Sequence, residues 1–142
     1  MDLICTNTPF LLLMQTSKAI QDRIRDEMTK NNLSVTEFSA LEVLYYKEKQ
    51  TIQQIGSSIL ISSGSMTYVI DKLEKRGLIK RNDCRDDRRV IHVTLTSDGK
   101  NLMSEIMPKH QQLVDYIFNS LNKDETATIT KLLEKVKNRI ER

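Results

Sequence analysis

Between Ser62 and Leu95 the hydrophobic period of this chain changes, and the change limits the folds open to it. Met66, Val69, Ile70 and Leu73 stand at i, i+3, i+4 and i+7, the spacing of one buried helical stripe. The opposite face reads Gly64, Tyr68, Asp71, Lys72 and Lys75, and Gly77 supplies a helix stop. From Leu78 the period is two. Leu78–Arg81 predicts one short strand and Val90–Leu95 a second, with Ile91, Val93 and Leu95 on one face. Asn82–Arg89, eight polar residues, must then form a projecting hairpin loop.

Helices are expected on both sides of this unit. Thr8-Pro9 reads as a start, Thr8 capping and Pro9 suiting the first turn. Leu13, Ser17, Ile20, Ile24 and Met28 then recur at helical spacing to about Asn31. Ser34-Val35-Thr36-Glu37 is a capping box, in which hydroxyl and carboxylate satisfy two amides reciprocally, and Phe38, Leu41, Val43 and Leu44 follow it. Thr51-Ile52-Gln53-Gln54 opens a short third helix to about Ile59. Ser62 or Ser63 can cap the fourth, giving it about 15 residues and a length of about 22 Å. Ser97 opens a fifth, with Leu102, Ile106, Leu113 and Ile117 on its apolar side and Pro108 expected to kink it. Asn122-Lys123-Asp124-Glu125 caps a sixth, where Ile129, Leu132, Leu133, Val136 and Ile140 form an unbroken stripe.

Composition agrees with a mainly α chain: only 4 Gly and 2 Pro punctuate 142 residues. That length buries a core without metal or disulfide support. Cys5 and Cys84 make neither a disulfide framework nor a metal-ligand spacing. An acid at Asp2 and an apolar run limited to Phe10–Met14 read against a secretory signal or a membrane span, so a soluble cytoplasmic protein is expected. His92 and His110 read as ordinary, partly exposed histidines, and two histidines make a poor metal site. There is no Gly-rich phosphate loop, metal-spaced cluster or nucleophile–base pair, so no catalytic residue, metal or cofactor is expected.

Charge is uneven. Residues 1–49 hold six Lys/Arg against seven Asp/Glu (net −1), residues 50–95 eight against five (net +3), and residues 96–142 eight against seven (net +1). The basic excess thus sits on the helix–hairpin segment, which suggests a polyanion as partner. Three short helices followed by a two-stranded hairpin with a basic tip spell a winged helix-turn-helix. The fourth helix fits a DNA major groove, and its small polar residues Ser62, Ser63, Ser65 and Thr67 let the backbone approach base edges and phosphates. Tyr68 and Lys72 lie further along the same side. In the hairpin, Arg85, Arg88 and Arg89 suit a narrow electronegative minor groove, while Asp86 and Asp87 are expected to fold the loop by accepting its amides or pairing with an arginine. The plainer alternatives are helix capping with a solvated face and a surface turn with neutralised charge.

The ordered pieces Leu33–Phe38, Ser62–Thr67, Asp71–Arg81, Asp86–Arg89 and Val93–Gly99 together resemble the MarR family, the multiple antibiotic resistance regulators. Ser34 stands where a threonine is more usual. The resemblance implies a sequence-specific regulator of transcription that acts as a homodimeric repressor. One MarR-like domain would span 1–142: a winged helix-turn-helix DNA-binding lobe at 34–95 and dimerisation helices at 8–31 and 97–142. Two lobes would straddle a pseudo-palindromic operator on double-stranded DNA, with Arg88 reaching the minor groove. The terminal stripes support a dimer independently, since a small winged core cannot cover them. The resemblance further implies release by a small-molecule effector, phenolic or otherwise amphipathic, or by thiol oxidation. Cys5 precedes the first helix near where some redox-sensing relatives keep a reactive cysteine; Cys84 stands beside Arg85, whose charge favours the oxidisable thiolate. The rival reading is a non-catalytic protein-interaction module on the same scaffold with weak DNA affinity.

Overall fold

A computed structural model of the chain describes residues 7–59, 65–83, 87 and 89–141. Six helices and three strands follow in the order α1 (Thr8–Thr29), α2 (Val35–Lys47), β1 (Gln50–Thr51), α3 (Ile52–Ser58), α4 (Met66–Lys75), β2 (Ile79–Asp83), β3 (Ile91–Leu95), α5 (Ser97–Phe118) and α6 (Lys123–Ile140). The chain divides into two compact units, Met1–Glu105 and Ile106–Arg142, the division falling within α5.

The caps explain most of the boundaries. α1 is capped by Asn7, one residue before the expected Thr8: the Asn7 side chain accepts from the Phe10 amide, and Pro9 occupies the first turn. The helix stops at Thr29, just past the last residue of the stripe, and Asn32 turns the chain with φ 56°. α2, α3 and α6 begin with the capping boxes read from the sequence. Ser34 with Glu37, Thr51 with Gln54, and Asn122 with Glu125 each exchange two hydrogen bonds of 2.9–3.1 Å.

In the first unit α2 is the central element. Phe38, Ala40, Leu41 and Leu44 are buried there and meet Ile24 and Met28 of α1, Ile55 of α3, and Val69, Ile70 and Leu73 of α4 in one core. Ile79, Val93 and Leu95 complete it from the sheet. The sheet has three strands in the order β1-β3-β2, all antiparallel, rather than the expected two. The residues just before α3 form β1, pairing Gln50 with Val93 and Thr51 with His92. β2 also runs two residues further than expected, so Asn82 and Asp83 belong to the strand, and β3 begins at Ile91, one residue after the expected Val90.

A compact junction joins helix, hairpin and α5. α4 ends at Gly77, whose φ of 73° is open to glycine at no steric cost. The Gly77 amide returns to the Glu74 carbonyl and the Leu78 amide to the Leu73 carbonyl, a Schellman closure. Where β3 leaves the sheet, the Thr96 amide donates to the Leu78 carbonyl at 3.0 Å, and the Thr96 hydroxyl donates to the Gly77 carbonyl at 2.6 Å while accepting from the Gly99 amide at 3.1 Å. Gly99 lies so close to the Leu78 carbonyl that a Cβ would collide with it.

In the second unit, α5 continues to Phe118 with Pro108 inside it. The proline has no amide to offer the Ser104 carbonyl one turn earlier. Leu113 is buried, whereas α6 buries no residue: Leu132, Leu133, Val136 and Ile140 are 40–74% exposed. The predicted stripe is therefore present along α6 and faces out. Among the described residues no helix is long and apolar enough to cross a membrane.

Gly99→Ala should destabilise the fold by about 2 kcal/mol, the usual cost of forcing atoms into filled space. Urea unfolding followed by circular dichroism measures this, and an unchanged midpoint would mean that α5 can shift away without loss.

Candidate nucleic-acid interface

α4 holds the centre of the site. Val69, Ile70 and Leu73 of its stripe are buried as expected and Met66 is half-buried, which fixes the other face outward: Thr67, Tyr68, Lys72 and Lys75 are all exposed. The Lys72 ammonium sits 5.6 Å from the Tyr68 ring centroid, a cation–π contact across one turn. Lys72 and Lys75 also complement the negative C-terminal end of the helix dipole.

The start of the helix differs from expectation. Ser65 is the N-cap, makes no side-chain cap bond, and leaves a helix of 10 residues, about 15 Å long, instead of one opened by Ser62 or Ser63. Ser62 and Ser63 lie outside the described residues, as do Cys5, Cys84, Arg85, Asp86 and Arg88.

At the end of the hairpin the structure bears out the folding role read for Asp87. Its carboxylate accepts from the Arg89 amide at 3.0 Å and from the Arg89 guanidinium at 3.2 and 3.4 Å, and the Val90 amide closes back on the Asp87 carbonyl. These bonds, the backbone amide first, hold the Asp87 carboxyl below the usual carboxylate range. The Arg89 side chain is nevertheless 91% exposed, so its charge is oriented by Asp87 and still open to solvent.

Two side chains that position this surface were not read from the sequence as doing so. Arg81 on β2 donates to Asp71 and to Glu74, both on α4. The Asp71 hydrogen bond above all keeps the guanidinium protonated beyond its ordinary range. One planar fork thereby joins the hairpin to α4. Arg76, the C-cap of α4, donates to the Asn32 carbonyl at 2.6 Å and lies 3.7 Å from the buried Glu37 carboxylate, tying that end of the helix to the start of α2. The only sequence signal for either was an arginine beside a strand or a helix stop, and its partners are 7 to 44 residues away.

The remaining candidates lie apart from this face. His92 and His110 are half-buried on β3 and α5. Among the described residues no three His, Cys, Asp or Glu side chains group to hold a metal.

Comparison with known proteins agrees with this geometry. The MarR family model matches residues 33–91. Over 127 residues the chain is 39% identical to the HTH-type transcriptional regulator MhqR of Bacillus subtilis, covering 89% of this chain and 88% of that protein. A mutant of MarR from Escherichia coli, solved in complex with operator DNA, superposes with a TM-score of 0.79 at 23% identity, covering 96% of this chain and 99% of that one. BpsR of Bordetella bronchiseptica, whose DNA binding is regulated by 6-hydroxynicotinic acid, gives 0.79 at 24% identity over 96% and 97% of the two chains.

Arg81→Met keeps the aliphatic stem and removes the fork. It should weaken binding to duplex DNA about tenfold, equivalent to about 1.4 kcal/mol, with only a small fall in melting temperature, because partly exposed pairs contribute little to stability; fluorescence anisotropy and a thermal melt read the two effects. The Asp87 contact has a pH signature. A carboxyl depressed in the folded state keeps its contact above the ordinary aspartate value of about 3.9 and loses it as the pH falls through the lower folded value. The Arg89 amide resonance should therefore titrate below pH 4, and a midpoint at or above the ordinary value would show that the contact is not held.

Proposed function

Because this chain belongs to the MarR family, we propose that it represses transcription as a homodimer seated on a pseudo-palindromic operator. As a family member it is a DNA-binding transcriptional regulator rather than an enzyme. The observation that carries the finer reading is the outward face of α4, Thr67, Tyr68, Lys72 and Lys75, anchored to an arginine-bearing hairpin by Arg81. In this reading α4 enters a major groove about 12 Å wide. Ser62, Ser63, Ser65 and Thr67 meet phosphates or base edges near its start, and Tyr68 and Lys72 reach further along. Arg85, Arg88 and Arg89 follow the hairpin to the adjacent minor groove, where a guanidinium is favoured by the narrow groove's negative potential.

Residues 34–95 form the DNA-binding lobe, and residues 8–31 and 97–142 supply the dimer. Support for the dimer comes from the α6 stripe and from Phe10, Leu12, Leu13 and Met14 on α1, all exposed in the single chain. Exposed apolar area of this extent is stabilised by a second copy. Symmetry would then set the two recognition helices about one DNA turn apart, ~34–36 Å. Release follows either from a small aromatic acid, as the 6-hydroxynicotinic acid named for BpsR supports, or from oxidation at Cys5 or Cys84. The protein acts in the cytoplasm, where its operator is.

Selection of bound fragments from random duplex DNA should recover an inverted repeat with half-sites about one turn apart. Arg88→Ala should weaken binding to it strongly while leaving the dimer intact, and binding should fall steeply with salt as phosphate contacts release counterions. A sequence-independent, salt-insensitive response would instead favour a protein-interaction module. Val136→Glu should convert the dimer to a monomer in sedimentation velocity; a dimer that survives the buried charge would remove α6 from the interface.

A further inference from the structure

The three strands have two different faces. Ile79, Arg81 and Val93 point to the core and to α4, and by alternation Lys80, Asn82, His92 and Thr94 point the other way. On that second face, within the first unit, lies a cleft of about 660 Å3, walled by the end of α2, by β2 and β3, and by the first two turns of α5. The size suits a small organic molecule. Its charge is one-sided: Lys49, Lys80 and Lys100 line it against the single acid Glu48, a net of +2. None of the three ammonium groups pairs with a carboxylate among the described residues.

Two further features shape the cleft. Asn82 donates to the Thr94 hydroxyl oxygen at 3.0 Å, which fixes both side chains and leaves the Thr94 proton available as a donor. At the opposite wall the chain leaves α2 through Glu48 at φ 60° and ψ −56°, with the Lys49 amide returning to the Lys47 carbonyl at 2.6 Å. This is a tight γ-turn in a region that side-chain-bearing residues rarely adopt, and it brings Lys49 directly onto the cleft wall.

We propose that this cleft binds a small phosphate-bearing anion. Lysines act as compact point charges, and three of them can gather around the several charged oxygens of a phosphoryl group without a fixed planar geometry. Leu44, Leu95 and the Tyr45 ring are its apolar lining, against seven charged or polar side chains, so a charged occupant is favoured over a neutral one. Because the strands alternate, an occupant sits on the face of the sheet away from α4, and its binding is measurable without DNA, independently of the repressor reading.

The test titrates inorganic pyrophosphate into the isotope-labelled full chain at constant ionic strength and follows amide resonances. Saturable shifts are expected at Asn82, Thr94 and Lys100, with Tyr68 on α4 unmoved. The double variant Lys80→Met with Lys100→Met should weaken the apparent affinity at least tenfold. Unsaturable shifts at every lysine, or affinity unchanged in the folded variant, would overturn the proposal; should the variant not fold, the wild-type shift pattern decides alone. Salicylate in place of pyrophosphate tests the ligand class, and saturation by salicylate with none by pyrophosphate refutes it. A duplex DNA arm tests the phosphate source: if DNA moves the same cleft resonances and pyrophosphate displaces it there, the phosphate is the DNA backbone's and the small-molecule reading fails.

Discussion

The junction of Gly77, Leu78, Thr96 and Gly99 sets how α4, the hairpin and the start of α5 leave one another. α4 can stop and turn because Gly77 accepts a positive φ and returns the last helical carbonyls to the chain. The hairpin begins two residues later and ends beside its own start, since Ile79 pairs with Leu95 and the Thr96 amide reaches the Leu78 carbonyl. One hydroxyl then serves both sides, donating to Gly77 and accepting from Gly99 at the start of α5. A side chain at Gly99 would force the strand and the helix apart. α4, the hairpin and α5 thus share a single origin, and no two of them can be set independently.

From that origin the hairpin projects, and a two-stranded projection is only as rigid as its ties. β1 supplies one tie by adding a third strand along the other side of β3. Arg81 supplies the second by reaching Asp71 and Glu74 on α4. In the proposed function this stiffness has a use, because groove contacts made by a helix and by a wing count together only if their spacing is fixed before binding. The two faces of the sheet also separate two chemistries: the inner face carries core residues and the tie to α4, and the outer face carries a cationic cleft.

α6 presents the opposite situation. Its capping box and its stripe are as regular as any in the chain, yet nothing on it is buried. Apolar side chains left in water at helical spacing are stabilised only by another apolar surface, which connects the homodimer of the proposed function to a physical requirement of the single chain.

What the sequence by itself determined was whatever depends on near neighbours. The capping boxes at Ser34, Thr51 and Asn122, the Gly77 stop and the Asp87 turn are all closed by partners within five residues, and the α4 stripe shows itself as a local period, so residue type and spacing suffice to read them. The same holds for the ordered motifs that mark the family. The tertiary structure alone decided the rest. β1 exists because Gln50 and Thr51 meet Val93 and His92 some 40 residues on. Arg81 and Arg76 take their roles from partners on other elements, and the cleft exists only where α2, the hairpin and α5 converge. Neither local propensity nor periodicity encodes such meetings, because they follow from how separately formed elements pack once a shared core has brought them together.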